Sequence, residues 1–210
     1  MKGILITFEG IDGAGKTTQW NKLASFLKGW GYPVETIREP GGSAISEKIR
    51  DLLLDVRNEG MQPMAEAMLY AAARAQLVEE VLKPLLAKGT IVLADRFTDS
   101  TIAYQGYGRG MDVDLLAQIN RLATGGLKPD LTFLLDLEVS EAARRMQWNA
   151  PDRMEKQGAA FQQKVRDGYL ALAAATERIV VVNAAQSEAE MAKEIYDRVV
   201  VFLKGIQANG

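Results

Sequence analysis

Gly10-Ile11-Asp12-Gly13-Ala14-Gly15-Lys16-Thr17 fits the spacing G-x-x-x-x-G-K-[ST] without a gap. An apolar run, Ile4 to Phe8, precedes it, and a helical pattern from Thr18 to Leu27 follows. Gly10, Gly13 and Gly15 allow the backbone to bend so that its N–H groups converge on an anion. The helix that follows presents its positive dipole end to the same charge. Lys16 is then placed to reach the β- and γ-phosphates of a nucleotide, and the Thr17 hydroxyl to ligate Mg²⁺. The whole loop, with Ile11, Asp12 and Ala14, is the expected ATP- or GTP-binding site.

Other charged residues stand where strands should end. Apolar runs at Ile4–Phe8, Val34–Ile37, Thr90–Ala94, Leu131–Leu135 and Ile179–Val182 are short and rich in branched or aromatic side chains. Four of them are followed by Glu9, by Arg38-Glu39, by Asp95-Arg96 and by Asp136. Ligands of open α/β sheets bind outside the carboxyl ends of the strands, so these charges would gather on one edge. Between the runs lie helical stripes: Leu23, Phe26, Leu27 and Trp30; Leu69, Ala73, Leu77, Val81 and Leu82, ending near Pro84; Leu115, Leu116, Ile119 and Leu122; and Met191, Ile195, Val199 and Phe202. The alternation predicts an α/β fold with a largely parallel sheet covered on both faces. The 210 residues suit one domain, 1–210, carrying a short lid insertion at about 144–157.

Composition narrows the chemistry. The chain has no cysteine and no histidine, which removes disulfides, structural zinc, thiolate chemistry and imidazole catalysis. A metal would be held by oxygen, which favours Mg²⁺. Phosphoryl transfer suits what remains, because it depends on positioning and charge stabilisation. The formal net charge of −2 argues against a dedicated nucleic-acid binder. Without a membrane-length apolar run, a signal-peptide pattern or a myristoylation site, a cytoplasmic protein is expected.

The sequence resembles the thymidylate kinase family over most of its length. The resemblance rests on Phe8 to Gln19, Arg38-Glu39-Pro40-Gly41-Gly42, Tyr70 to Gln76, and Asp95-Arg96-Phe97 followed by Ser100 to Gly106. Lys128 to Thr132 and Asp152-Arg153-Met154-Glu155 complete it, all in the family's order. It implies the P-loop fold with a five-stranded parallel sheet and a short mobile lid, and transfer of the γ-phosphoryl group of ATP to dTMP. It also implies a homodimer packed through helices. Another P-loop nucleoside or nucleoside monophosphate kinase is the nearest alternative. A regulatory GTPase is disfavoured because no Asn-Lys-x-Asp signature is present.

Residue roles follow from the resemblance and from side-chain chemistry together. Arg96, with Arg38 nearby, is placed on the acceptor phosphate, since a guanidinium meets phosphate oxygens in a bidentate fork. Asp95 would hold Mg²⁺ through water or orient Arg96. Asp12 is implied to contact the acceptor's 3′-hydroxyl. Tyr70 and Arg74, one helical turn apart, share a face; the resemblance assigns them to stacking on, and hydrogen bonding to, the thymine ring, where the family usually has phenylalanine for Tyr70. It places Thr101 and Gln105 at the polar edge of the base and Tyr104 under the sugar. With Ala14 in the loop, no P-loop arginine is available, as in bacterial members that carry it in the lid. Arg153 is the first candidate for the lid arginine, Arg145 the second and Arg144 also near, although Met146 to Ala150 contains none.

Overall fold

A computed structural model describes residues 3–146 and 152–208. Five strands, β1 Ile4–Glu9, β2 Val34–Arg38, β3 Ile91–Asp95, β4 Leu131–Asp136 and β5 Ile179–Asn183, form one sheet in the order β2-β3-β1-β4-β5. Every pairing is parallel. The helices are α1 Lys16–Gly29, α2 Ala44–Leu54, α3 Pro63–Leu77, α4 Thr98–Thr101, α5 Val113–Thr124, α6 Val139–Arg145, α7 Ala159–Ala175 and α8 Glu188–Ala208. Two of them are extended by wide π-helical segments: α3 runs on through Val78–Leu82, and α4 through Ile102–Gly108.

Alternation along β1 fills two cores. Ile4, Ile6 and Phe8 pack in a cluster with Leu23 and Leu27 of α1, Val165 and Tyr169 of α7, and Met191 and Ile195 of α8. Leu5 faces a second cluster, with Val92, Ala94, Leu77 and Val78. Successive side chains of a strand point to opposite faces, so one apolar run serves both. A third cluster joins Ala67 and Ala71 of α3 to Ile102 and to Leu116, Ile119 and Ala123 of α5.

Two helical expectations are corrected. The stripe through Leu69 to Leu82 does not end near Pro84; a final α-helical turn, Lys83–Ala87, continues past it. Proline lacks an N–H and its ring crowds the carbonyl one turn back, and the widened turn just before Pro84 relieves both. In α5 the buried face is Leu116, Ile119, Asn120 and Ala123, while Leu115 and Leu122 point outward, Leu122 being 83% exposed. Among the described residues no helix is long and apolar enough to cross a membrane.

Candidate active site

The carboxyl edge of the sheet opens into a cleft of about 530 Å³. It is lined by the loop after β1, the ends of β2 and β3, one face of α3, the π-helical segment after α4, and residues on both sides of the expected lid. Arg38, Glu39, Asp95 and Arg96 are in this lining, so two of the four charged strand ends behave as expected. Asp136 does not, because Arg166 of α7 grips it through Nε and Nη2 at 2.7 and 3.1 Å. Glu9 is fully buried beneath the cleft.

The phosphate loop depends on glycine where backbone approaches backbone. Gly10 has φ 134°, and a Cβ there would lie 2.5 Å from the Leu135 carbonyl oxygen. Gly13, at φ 83°, passes the Ala142 carbonyl as closely as 2.8 Å by the same measure. Lys16 folds back to donate to the Gly10 and Ile11 carbonyl oxygens at 3.0 and 2.9 Å, with Asp12 at 3.7 Å. Burial pushes its ammonium pKa down, with the Arg96 cation adding to that. Thr17 donates from Oγ1 to Asp95 Oδ2 at 2.9 Å. That adjacent hydroxyl and carboxylate are hard oxygen donors, which suits a cation that keeps water and phosphate ligands.

Arg96 is the centre of the cleft floor. It is the one non-glycine residue with positive φ among those described, at 72°. Such a backbone costs about 1 kcal/mol or more and persists where surrounding bonds over-determine it. Here the Arg96 N–H donates to the Phe8 carbonyl at 2.9 Å, and the next N–H, of Phe97, donates to Glu9 Oε1 at 2.8 Å. The guanidinium then meets Asp12 Oδ1, the Tyr104 hydroxyl at 3.0 Å, the Tyr169 hydroxyl at 3.1 Å and the Gly10 carbonyl at 3.1 Å. Burial alone would raise the Asp12 pKa, but Arg96 and Lys16 outweigh it and hold the group at about 2. Glu9 differs: burial, reinforced by Asp99, pushes its carboxyl up to about 7 despite bonds from Ser100 and Tyr169.

The opposite wall is α3, with Tyr70 and Arg74 both lining the cleft. Arg74 is 2% exposed and donates to Glu39 Oε2 at 2.7 Å, Thr101 Oγ1 at 2.9 Å, Asn120 Oδ1 at 2.7 Å and the Phe97 carbonyl at 3.1 Å. Thr101, Tyr104 and Gln105 also reach the cleft, but not as one α-helical face. The π-helical turn sends Tyr104 to the Arg96–Asp12 pair and Gln105 to Glu66, at 2.9 Å.

Of the lid arginines, Arg145 lines the cleft, held by Glu141 at 2.9 Å and the Ala184 carbonyl at 3.1 Å. Arg153, the first candidate, stands elsewhere. It is 2% exposed, pairs with Glu66 at 2.6 Å and donates from Nε to the Leu53 carbonyl at 2.6 Å. Arg144 is exposed and paired with Glu141. Asp152 and Glu155 cap each other's backbone N–H groups, which gives Asp-Arg-x-Glu a local structural reason. Residues 147–151, the middle of the expected insertion, lie outside the described residues.

Sequence reasoning missed several participants. Arg50 lines the cleft and shares the Pro40 carbonyl with Arg38, which is also tied to Glu47. Ser100 and Tyr169 join the strand-end Glu9 to form the mount under Arg96. Glu66 had a readable signal: with Tyr70 and Arg74 it forms a polar i, i+4, i+8 row on a helix otherwise packed with alanine.

Comparison with known proteins decides what this cleft belongs to. The thymidylate kinase family pattern matches residues 8–195. The chain belongs to the thymidylate kinase family. It is similar to the thymidylate kinase of Desulforudis audaxviator, 50% identical over 97% of this chain and 93% of that one. The thymidylate kinase of Pelotomaculum thermopropionicum is 47% identical, over 98% of each chain. Among solved structures, the thymidylate kinase of Ehrlichia chaffeensis superposes with a TM-score of 0.78 at 34% identity, covering 95% of this chain and 99% of that one. The chain is therefore a nucleotide-binding phosphotransferase with thymidylate kinase function, using ATP as its family does.

Proposed function

We propose that the cleft transfers the γ-phosphoryl group of ATP directly to the 5′-phosphate of dTMP, with the side chains in the roles given below. The observation that carries this reading is Arg96, a second, half-buried cation facing the cleft beside the phosphate loop, held at Asp12 and Tyr104. Such a cation beside a loop that cradles one phosphate chain suits a second phosphate that must meet the first. ATP occupies Gly10 to Thr17, with Lys16 leaving its loop carbonyls for the β- and γ-phosphates. Arg96, assisted by Arg38, fixes the acceptor phosphate. The nucleophile is already an anionic oxygen, so no general base is required, in keeping with a chain that has no histidine.

Thr17, with Asp95 behind it through water, would hold Mg²⁺, which when bound neutralises charge on the triphosphate. Tyr70 offers a ring for base stacking, Arg74, Thr101 and Gln105 its polar edge, Tyr104 the sugar contact, and Asp12 the 3′-hydroxyl contact. Arg145 takes the part of the lid arginine of the bacterial type in this reading, which its place in the cleft lining supports, while Arg153 is paired with Glu66. The reading also takes in one catalytic domain over 1–210 with its lid at about 144–157, cytoplasmic action on free nucleotides, no nucleic-acid partner and a homodimer. Exposed Leu122, Leu115, Met64 and Met68 on neighbouring α5 and α3 support a helix-packed dimer. A coupled ADP-release assay across a panel of nucleoside monophosphates tests the reading. Turnover with dTMP far above the others is expected, and turnover with thymidine but not dTMP would overturn it.

A further inference from the structure

Glu66 lies in the first turn of α3, is 0% exposed, and belongs to no step of the transfer. Its carboxylate nevertheless collects four donors. Oε1 accepts from Gln105 Nε2 at 2.9 Å and Arg109 Nε at 3.2 Å. Oε2 accepts from Arg109 Nη2 at 3.0 Å and pairs with Arg153 Nη1 at 2.6 Å. Burial opposes ionisation, but the bonds from Arg109, Gln105 and Arg153 prevail and keep the group's pKa below the usual glutamate range. The residue is thus a fixed, charged acceptor.

That charge determines which way the Gln105 amide faces. An ionised carboxylate has lone pairs and no hydrogen to give. Turning the amide over would set its carbonyl oxygen against Glu66, two buried acceptors in contact, at a cost of about 1–3 kcal/mol. The nitrogen therefore stays on Glu66, and the carbonyl oxygen is left for the cleft that Gln105 lines. Beside it, Thr101 Oγ1 already accepts from Arg74, so its hydroxyl hydrogen is directed elsewhere, and Arg74 can only donate. Four of the five Arg74 N–H donors are taken by Glu39, Thr101, Asn120 and the Phe97 carbonyl, so the donors left for a base are its remaining Nη2 hydrogen and the Thr101 hydroxyl, next to an acceptor from Gln105. A pyrimidine with a carbonyl at C4 and a hydrogen on N3 matches that order. Cytosine, with an amino group at C4 and a bare N3, opposes it at both places.

We infer that Glu66 is a specificity-determining positioning residue, which holds Gln105 so that the acceptor pocket takes thymine- or uracil-type bases and refuses cytosine. The inference rests on the proposed placement of the base against Tyr70, Arg74 and Gln105. Arg153 and Arg109 share the carboxylate, and Arg109 also donates to Gln157 Oε1 at 2.6 Å, so the base reader and the lid's C-terminal root have a common anchor.

The test is kinetic, with dTMP, dUMP and dCMP as acceptors at saturating ATP, on the full chain. Glu66→Gln keeps the shape, and its oxygen remains between the two guanidinium groups. Its new amide nitrogen then takes the place of Oε1, giving up the 3.2 Å bond from Arg109 Nε, faces Gln105 and turns that side chain's own nitrogen to the cleft. The kcat/KM preference for dTMP over dCMP is expected to fall by roughly tenfold or more, since a site that pairs polar groups discriminates by leaving the wrong ones unpaired. An unchanged preference in a folded Glu66→Gln enzyme would overturn the inference. Gln105→Met leaves the Glu66 ion pairs intact and covers the case in which the first variant does not fold. It should raise the KM for dTMP about tenfold while affecting dCMP little. In Glu66→Gln, a raised KM with unchanged preference sinks the role of Glu66 in orientation and spares the pocket. An unaltered KM for dTMP sinks the placement of the base itself.

Discussion

The proposed donor cradle and acceptor wall face each other across one cleft, yet they are made from different materials. The cradle is backbone: eight consecutive residues with glycine angles and a helix N-terminus suited to an anion, and Lys16 resting on two carbonyls of its own loop. The wall is side chain: Arg74 brings together groups from the β2 loop, α4 and α5, and Glu66 brings together α3, the π-helical segment and the lid root. A site made of backbone keeps its shape when one neighbouring side chain is lost, even where turnover falls. A site made of buried ion pairs would bind its ligand with the same atoms that support the fold.

Perturbing the two sides should therefore separate stability from turnover. Arg74→Ala strands Glu39 in the interior, and breaking a buried pair in this way removes about 3–5 kcal/mol. Urea unfolding should show the loss in the absence of any nucleotide; an undiminished midpoint would mean that the wall is not structural. Glu9, under Arg96, should act through pH. Its folded pKa of about 7 stands above the ordinary 4.5, so the folded chain holds the extra proton between those values. Stability from this group is present below about pH 4.5 and is lost as pH rises through 7, a span of about 3 kcal/mol. Glu9→Gln should flatten that slope in unfolding measured at pH 5 and pH 8. On the cradle side, Lys16→Ala should lower kcat by on the order of 10² with little change in unfolding, because it removes charge stabilisation rather than packing. The smallest effect is expected from Arg145→Ala, a partly exposed cation: on the order of tenfold in kcat. A larger kinetic loss in Arg153→Ala with Arg145→Ala near normal would reverse their assignments.

The same division explains what could be read from the chain. The five strands and the phosphate loop are contiguous signals: branched runs of five or six residues, and a glycine spacing between strand and helix. Asp95 and Arg96 were legible as strand-end charges. The partners that hold them were not, since Tyr169 approaches Glu9 from 160 positions away. Charge at a strand end does not reveal whether another arginine has already claimed it, as Arg166 claims Asp136. Gln105 and Tyr104 part company because seven residues adopt a wider helix than their spacing suggests. Arg153 was drawn toward the phosphates by its place in the lid, and only the fold shows that Glu66 holds it.

The parallel order of the sheet has a consequence for how the enzyme comes into being. β1 lies between β3 and β4, pairing Ile4 with Ile91 and Ile6 with Leu131, so its neighbours are more than 80 residues distant along the chain. Contacts of that range form late and slowly, after the intervening loops have closed. Arg96 takes its strained backbone from Phe8 and Glu9, across one of these pairings. During synthesis the phosphate loop is translated first, but Arg96 beside it can take its place only when the central strands have met.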